Sequence, residues 1–111
     1  MGLPVDISAF IKLAKKKSIF IIEDCALALG AELNKQKVGS LGDVGCFSFY
    51  PVKHMTTAEG GMITTNDKNL ALKLRKLKAF GYNNNLHERK IPGLYDVLDL
   101  GYNYRMSEFH S

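Results

Sequence analysis

A short, continuous apolar run near the start of the chain constrains the fold most. It reads Ser-Ile-Phe-Ile-Ile-Glu over Ser18 to Glu23 and is rich in β-branched residues. An apolar run of this length without polar alternation is typical of a strand that is buried on both faces of a parallel sheet. We therefore expect a buried strand over Ile19 to Ile22, which needs a covering layer on each side.

The segment before this strand has the pattern of an amphipathic helix. Asp6-Ile7-Ser8 offers an N-cap, and Lys15 to Lys17 place cations where a helix C-terminus favours them. Apolar side chains recur on one helical face, namely Phe10, Ile11, Leu13 and Ala14. A helix followed by a buried strand indicates an α/β fold.

A second strand leads directly to a lysine. Val44 to Tyr50 contains residues that suit a pleated, largely buried surface, and Pro51 ends it because proline has no N–H to donate. Lys53 follows two residues later. An amine just beyond a buried strand is partly desolvated, which favours the free base that attacks a carbonyl group. Most lysines are solvated surface charges, so this interpretation depends on the neighbouring residues.

Asp24 comes immediately after the first strand. In open α/β sheets, ligands bind at the carboxyl ends of the strands, so a carboxylate there is well placed for function. The alternative is that Asp24 caps a short helical turn over Cys25 to Leu29. The residues alone favour neither interpretation.

The middle of the chain is rich in turn signals. Gly30 to Gly39 has the pattern of a small hairpin with its turn at Asn34 to Gln36. The glycine-rich stretch from Gly39 to Asp43 lacks the GK[ST] of a phosphate-binding loop and does not lead into a helix. We expect this stretch to be a structural loop that enters the second strand.

The remainder predicts one more strand and one more helix. Met62 to Thr65 is expected to be a strand, and a leucine stripe from Leu70 to Phe80 predicts a helix that ends at Gly81 and packs on the sheet. The polar stretch from Tyr82 to Lys90 is expected to be a surface loop.

Composition excludes several classes of protein. The 111 residues suffice for one modest domain, and no apolar run approaches the roughly 20 residues of a membrane span. We therefore expect no secretory signal and no membrane partner. We also expect no nucleic-acid partner, because the basic residues behind the net charge of +4 lack interleaved aromatic residues. Cys25 and Cys46 form no CxxC motif and are expected to be buried free thiols in the reducing cytoplasm.

Two further blocks support a resemblance to a known family. The stretches from Phe47 to Lys53 and from Thr56 to Met62 resemble the lysine segment of the DegT/DnrJ/EryC1/StrS sugar aminotransferases, which are fold-type-I enzymes that use pyridoxal 5′-phosphate (PLP). The resemblance implies an α/β fold with a mostly parallel sheet and flanking helices. Residues 1–111 would form a single partial domain, the central part of the PLP-binding large domain, and alone would be inactive.

The resemblance also implies roles for four residues. Lys53 would hold PLP as a Schiff base and shuttle protons as general base and acid, and Ser48 would bind the cofactor phosphate. Asp24 would face the pyridine nitrogen and keep it protonated, so that the ring can accept electrons. In a third similar block, Leu100 to Glu108, Asn103 would contact the phosphate of the neighbouring subunit's cofactor. Without the resemblance, Asn103 would be interpreted as support for a turn.

The implied function is transfer of an amino group, with glutamate as donor, to a nucleotide-linked keto sugar for amino-sugar or polysaccharide biosynthesis. The enzyme would be a homodimer with shared active sites, and no metal is implied. One position departs from the family, because Leu27 stands where Gln or His is usual and cannot form a hydrogen bond.

Two alternative functions differ in what they require at these positions. The first is a sugar dehydratase of the same fold, which has His in place of the lysine; the presence of Lys53 argues against it, although His54 is adjacent. The second is a non-catalytic regulatory or binding module, which would have no need to retain Asp24, Ser48 and Lys53 together.

Overall fold

A computed structural model of the chain describes residues 2–82 and 91–111. The predicted loop from Tyr82 to Lys90 lies outside the described residues except for Tyr82 itself. The helices and strands of the described residues are α1 (Ser8–Lys17), β1 (Ile22–Asp24), β2 (Glu32–Leu33), β3 (Gln36–Lys37), β4 (Val44–Ser48), β5 (Gly61–Thr64) and α2 (Lys68–Leu77). The chain divides into two compact units, the first formed by Met1–Asp67 with Met106–Ser111 and the second by Lys68–Arg105.

The central element of the first unit is a mixed sheet with the strand order β1-β4-β5. β1 runs parallel to β4, with Asp24 opposite Cys46, and β4 runs antiparallel to β5, with Ser48 opposite Gly61. The predicted α/β class is confirmed, as are the strands that lead into and follow the Lys53 segment. In the described part of the sheet, one pairing is parallel and one is antiparallel.

The predicted burial of the first strand is wrong. β1 begins only at Ile22, and the side chains of Ile19, Phe20 and Ile22 are 59%, 68% and 68% exposed. Burial on both faces requires a layer of helices on each side of the strand. The described residues do not supply these layers, since α1 buries only Ala14. Within the described residues, most of this apolar run is therefore exposed rather than buried.

The predicted hairpin is confirmed. β2 and β3 pair antiparallel around Asn34 and Lys35, whose φ angles are 52° and 66°. Two consecutive positive φ angles are the signature of a type I′ turn, whose twist matches that of the flanking strands. Across the hairpin, Lys37 Nζ lies 2.7 Å from the Glu32 carboxylate.

The second helix forms near its predicted position. α2 spans Lys68–Leu77, and the chain then turns through left-handed residues at Phe80 and Gly81, as expected for a helix that ends at a glycine. The Gly81 N–H donates to the Lys76 carbonyl at 2.9 Å. No side chain of α2 is fully buried, although Leu70, Leu74 and Leu77 are half-buried. Neither helix of the described residues has the length and apolar character of a membrane span.

Candidate active site

The loop after β4, residues 49–60, carries Lys53 and is closed by the backbone of one residue. The Phe49 N–H donates to the Gly60 carbonyl at 2.8 Å, and the Phe49 carbonyl accepts from the Thr57 N–H at 3.0 Å and from Thr56 Oγ1 at 2.9 Å. The Phe49 side chain is buried. Both ends of the Lys53 loop are thereby fixed to the end of β4.

Lys53 itself lies in a tight turn within this loop. Its N–H donates to the Tyr50 carbonyl at 2.9 Å, which holds the lysine backbone directly beyond β4. The residue is half-buried, and its Nζ has no hydrogen-bond or ion-pair partner among the described residues. The hydrogen-bonded loop therefore carries an amine without a partner among the described residues.

Asp24 and Ser48 lie at the carboxyl ends of the two parallel strands. Asp24 is opposite Cys46, and Ser48 follows Cys46 by two residues, so the pleat places all three side chains on one face of the sheet. Asp24 Oδ1 accepts from the Ala26 N–H at 3.1 Å, and Ser48 Oγ accepts from the Tyr50 N–H at 3.3 Å. Within the described residues, this leaves Asp24 Oδ2 and the Ser48 hydroxyl proton without a partner.

The capping alternative for Asp24 is correct only in part. The bond from the Ala26 N–H shows that Asp24 starts a turn, but no helix forms over Cys25 to Leu29. Leu27, where the resemblance implies a polar side chain, is 41% exposed. Asp24 therefore supports the local turn with one oxygen and keeps the other available.

Glu23 is the residue at this site that the sequence did not predict. Its carboxylate accepts three backbone N–H bonds, from Gly39 at 2.9 Å, Leu41 at 2.8 Å and Gly42 at 2.7 Å. These bonds organise residues 39–43, here named the glycine loop, which is structural as expected. A signal was present, because a carboxylate within an apolar run needs hydrogen-bond partners to be tolerated there.

The two cysteines differ in their burial. Cys25 is 3% exposed, and its N–H donates to the Cys46 carbonyl at 2.8 Å. Burial, together with the carboxylates of Glu23 and Asp24, raises the pKa of the Cys25 thiol to about 11. Both cysteines are free thiols, but only Cys25 is buried as expected, since Cys46 is half-buried.

The second unit contains Asn103. Asn103 Oδ1 accepts a hydrogen bond from Arg105 Nε at 3.0 Å, and the Arg105 guanidinium lies 4.9 Å from the centre of the Phe80 ring. Backbone bonds from Tyr102 N–H to the Leu77 carbonyl at 2.7 Å and from Tyr104 N–H to the Lys78 carbonyl at 3.0 Å hold this segment against the end of α2. With Oδ1 occupied by Arg105, the amide nitrogen of Asn103 remains as a donor.

The described residues contain no group of three or more His, Cys, Asp or Glu side chains that could hold a metal ion. The free groups at the carboxyl end of the parallel pair are instead an amine, a hydroxyl and a carboxylate, supplied by Lys53, Ser48 and Asp24. An amine can form a Schiff base with a carbonyl compound, a hydroxyl can donate a hydrogen bond to an anion, and a carboxylate can accept one from a protonated base.

Comparison with known proteins identifies similar sequences. The chain is 45% identical over 111 residues to a UDP-N-acetyl-3-dehydro-alpha-D-glucosamine 3-aminotransferase of Acidithiobacillus ferrooxidans, covering 99% of this chain and 28% of the relative. It is 42% identical over 106 residues to a GDP-perosamine synthase of Escherichia coli O157:H7, covering 96% of this chain and 27% of the relative. The chain thus spans a little over a quarter of the length of these relatives.

Solved structures agree with these relatives. Helicobacter pylori PseC, an aminotransferase involved in the biosynthesis of pseudoaminic acid, matches with a TM-score of 0.87 and 34% identity over 98% of this chain and 28% of that chain. Spr1654 of Streptococcus pneumoniae, described in a PLP form, matches with a TM-score of 0.81 and 26% identity over 98% of this chain and 31% of that chain. The family model for DegT/DnrJ/EryC1/StrS aminotransferases matches residues 1–111. The chain therefore belongs to the DegT/DnrJ/EryC1/StrS aminotransferase family.

Proposed function

We propose that the full-length protein is a PLP-dependent aminotransferase that acts on a nucleotide-linked keto sugar, with glutamate as the amino donor. The observation that carries this proposal is the free amine of Lys53 beyond the carboxyl end of a parallel strand pair that also presents Asp24 and Ser48. The substrate class is supported by the names of the relatives, which act on UDP-linked or GDP-linked sugars. Residues 1–111 form the central part of the PLP-binding large domain.

The free groups of the site fit PLP. A Schiff base requires an unpaired amine, which Lys53 supplies, and the phosphate requires a hydrogen-bond donor, which the Ser48 hydroxyl supplies. The ring nitrogen requires a carboxylate, and Asp24 Oδ2 has no other partner among the described residues. When bound, PLP supplies an electron sink for the carbon from which a proton is removed.

Each residue has a distinct task in this proposal. Lys53 takes a proton from the substrate carbon and returns one during amino transfer, and its half-buried position limits access of bulk water. Asp24 keeps a proton on the ring nitrogen, and Ser48 orients the phosphate. Leu27 makes no polar contact with the ring, so orientation depends more heavily on Asp24 and Ser48 than in relatives with Gln or His at that position.

Borohydride trapping tests the proposal. The full-length protein should be yellow with PLP, and reduction followed by peptide mapping should place the pyridoxyl group on Lys53. Lys53→Ala should lose the visible absorption band and transamination, whereas the matched variant His54→Ala should keep both. A label on Lys12 or Lys90, or a colourless protein at saturating PLP, would disprove the assignment.

Product analysis separates the two enzyme classes. The relatives reported above are named as aminotransferases or as a perosamine synthase, so the dehydratase alternative is not favoured. With a nucleotide-linked keto sugar and glutamate, the proposal predicts an amino sugar and 2-oxoglutarate in equal amounts. A sugar product that has lost water and gained no nitrogen would identify a dehydratase instead.

We also propose that the active form is a homodimer in which Asn103 contacts the cofactor phosphate of the neighbouring subunit. The free amide nitrogen of Asn103, oriented by Arg105, supports this role. Mixed dimers of inactive Lys53→Ala subunits and impaired Asn103→Ala subunits should regain part of the activity, because one hybrid site is intact. No recovery in a sample shown to contain mixed dimers would contradict the shared site.

A further inference from the structure

We propose that Glu23 is a positioning residue of the active site, which anchors β1 so that Asp24 faces the ring nitrogen of the cofactor. This inference rests on the proposed function, because it concerns the carboxylate that serves PLP. Glu23 itself touches neither the cofactor nor the substrate in this proposal. It acts through the backbone of the strand that it shares with Asp24.

The hydrogen bonds of Glu23 involve both of its oxygens. Oε1 accepts from the Leu41 and Gly42 N–H groups at 2.8 and 2.7 Å, and Oε2 accepts from the Gly39 N–H at 2.9 Å. Bonds from backbone N–H groups to a carboxylate are shorter and stronger than bonds between neutral groups. The glycine loop is therefore attached to β1 by one side chain through three separate bonds.

The register of the sheet explains why the loop fits there. Glu23 is opposite Gly45 on β4, and Gly45 is opposite Thr64 on β5, so these residues form a row across three strands. Thr64 Oγ1 donates to the Gly39 carbonyl at 2.5 Å. Gly45 has no side chain, and a Cβ atom there would overlap the Cα atom of Gly39. Glu23 on β1 and Thr64 on β5 thus hold Gly39 against the backbone of the central strand β4.

This row lies on the face opposite to Asp24. Successive side chains of a strand point to opposite faces, so Glu23 and Asp24 are related by the pleat, and rotation of β1 about its own axis would move both. β1 is only three residues long and lies at the edge of the described sheet. Three bonds on the Glu23 side oppose such a rotation and thereby fix the direction of the Asp24 carboxylate.

The test compares two variants of the full-length enzyme that loosen the same loop from different strands. Glu23→Gln preserves size but replaces one acceptor oxygen by a donor that faces a backbone N–H. Thr64→Val removes the hydrogen bond that β5 donates to the Gly39 carbonyl. It leaves the bonds of β1, the strand that contains Asp24, in place. Both variants should lower the melting temperature, so stability alone does not separate a positioning role from a merely structural one.

The deciding measurement is nuclear magnetic resonance of PLP that is isotope-labelled at the ring nitrogen and bound to each variant. In Glu23→Gln, the ratio of protonated to neutral ring nitrogen at neutral pH should fall on the order of tenfold, which corresponds to one pK unit. Turnover should fall roughly a hundredfold, as expected when a catalytic group is displaced by about 1 Å. Thr64→Val should leave the ratio at its wild-type value.

Each outcome has one meaning. A ratio in Glu23→Gln that equals the wild-type ratio, or a ratio that falls equally in Thr64→Val, overturns the positioning role. If Glu23→Gln does not fold, Glu23→Asp is measured in its place, and it should shift the ratio in the same direction by less; an unchanged ratio there also overturns the role. Failure of the wild-type enzyme to bind PLP would instead disprove the proposed function.

Discussion

The two ends of the β1–β4 pair contain similar residues and use them differently. At the amino end, Asp43 Oδ2 accepts from the Ile21 N–H at 2.8 Å, and Ser40 Oγ donates to the Lys37 carbonyl at 2.6 Å. At the carboxyl end, Asp24 and Ser48 each accept one backbone N–H bond at 3.1 and 3.3 Å. An aspartate and a serine therefore occur at both ends of the same pair of strands.

The two ends of the strand pair differ in which polar groups lack a hydrogen-bond partner among the described residues. At the amino end, the Asp43 carboxylate accepts a hydrogen bond from the residue before β1, and the Ser40 hydroxyl donates its proton to the carbonyl of Lys37 in β3. At the carboxyl end, one oxygen of Asp24 and the hydroxyl proton of Ser48 have no partner among the described residues. Residue type alone therefore does not identify the aspartate that keeps a free oxygen, and we expect position at the carboxyl ends of the parallel strands to do so.

The largest predicted effect separates the two aspartates. In the full-length enzyme, Asp24→Asn should keep the Schiff base but slow turnover on the order of a hundredfold or more, because a neutral amide no longer holds the ring nitrogen protonated. Asp43→Asn is the matched control and should retain near-normal turnover, since an amide oxygen still accepts the Ile21 N–H. Steady-state kinetics of the two variants measure the difference. Near-normal turnover of Asp24→Asn would mean that this residue only supports the turn to Ala26.

The next effect separates the two serines. Ser48→Ala should weaken PLP binding by roughly ten- to a hundredfold, because a hydrogen bond to a charged phosphate contributes about 1.5–3 kcal/mol. Ser40→Ala removes a hydroxyl at the amino end and should leave PLP affinity unchanged. Fluorescence titration of each apoenzyme with PLP gives the two dissociation constants. Equal weakening in both variants would contradict the assignment of the phosphate to the carboxyl end.

A smaller effect compares two threonines that each support one loop. Thr56 Oγ1 donates to the Phe49 carbonyl and accepts from the Ala58 N–H at 3.0 Å, whereas Thr64 Oγ1 donates to the Gly39 carbonyl. Replacing either by Val should lower the free energy of unfolding by about 1 kcal/mol. Only Thr56→Val should also slow the formation of the Schiff base, because it loosens the loop that holds Lys53. Denaturant unfolding measures the change in the free energy of unfolding, and stopped-flow absorbance measures the rate of Schiff-base formation.

The local elements could be predicted from the sequence, because their signals are local. The strand before Lys53, the hairpin around Asn34 and the glycine at the end of α2 are specified by neighbouring residues, and all three form as expected. The family could be identified for the same reason, since its motifs are contiguous. The placement of Asp24 at a strand end also followed from the run that precedes it.

Two features could not be predicted, because they depend on distant parts of the chain. The burial of Ile19 to Ile22 requires covering layers that the described residues do not provide. The role of Glu23 depends on N–H groups that lie 16 to 19 residues away in the sequence and meet it only through the register of β1 with β4. The position of Glu23 at the end of an apolar run is a signal that the sequence analysis did not use, and only the folded sheet shows its partners.

The effect that is smallest at neutral pH concerns the carboxyl end itself, where Cys25 directly follows the available carboxylate of Asp24. Burial raises the pKa of Cys25 from 9.0 to about 11, so its neutral form is favoured in the folded state. The resulting stability is complete below pH 9.0 and is lost as the pH rises to about 11, because the thiol ionises first in the unfolded state. Cys25→Ala should remove that alkaline loss of roughly 2–3 kcal/mol, as measured by unfolding at several pH values. Iodoacetamide should label the half-buried Cys46 before Cys25 at neutral pH, and faster labelling of Cys25 would show that this part of the carboxyl end is open.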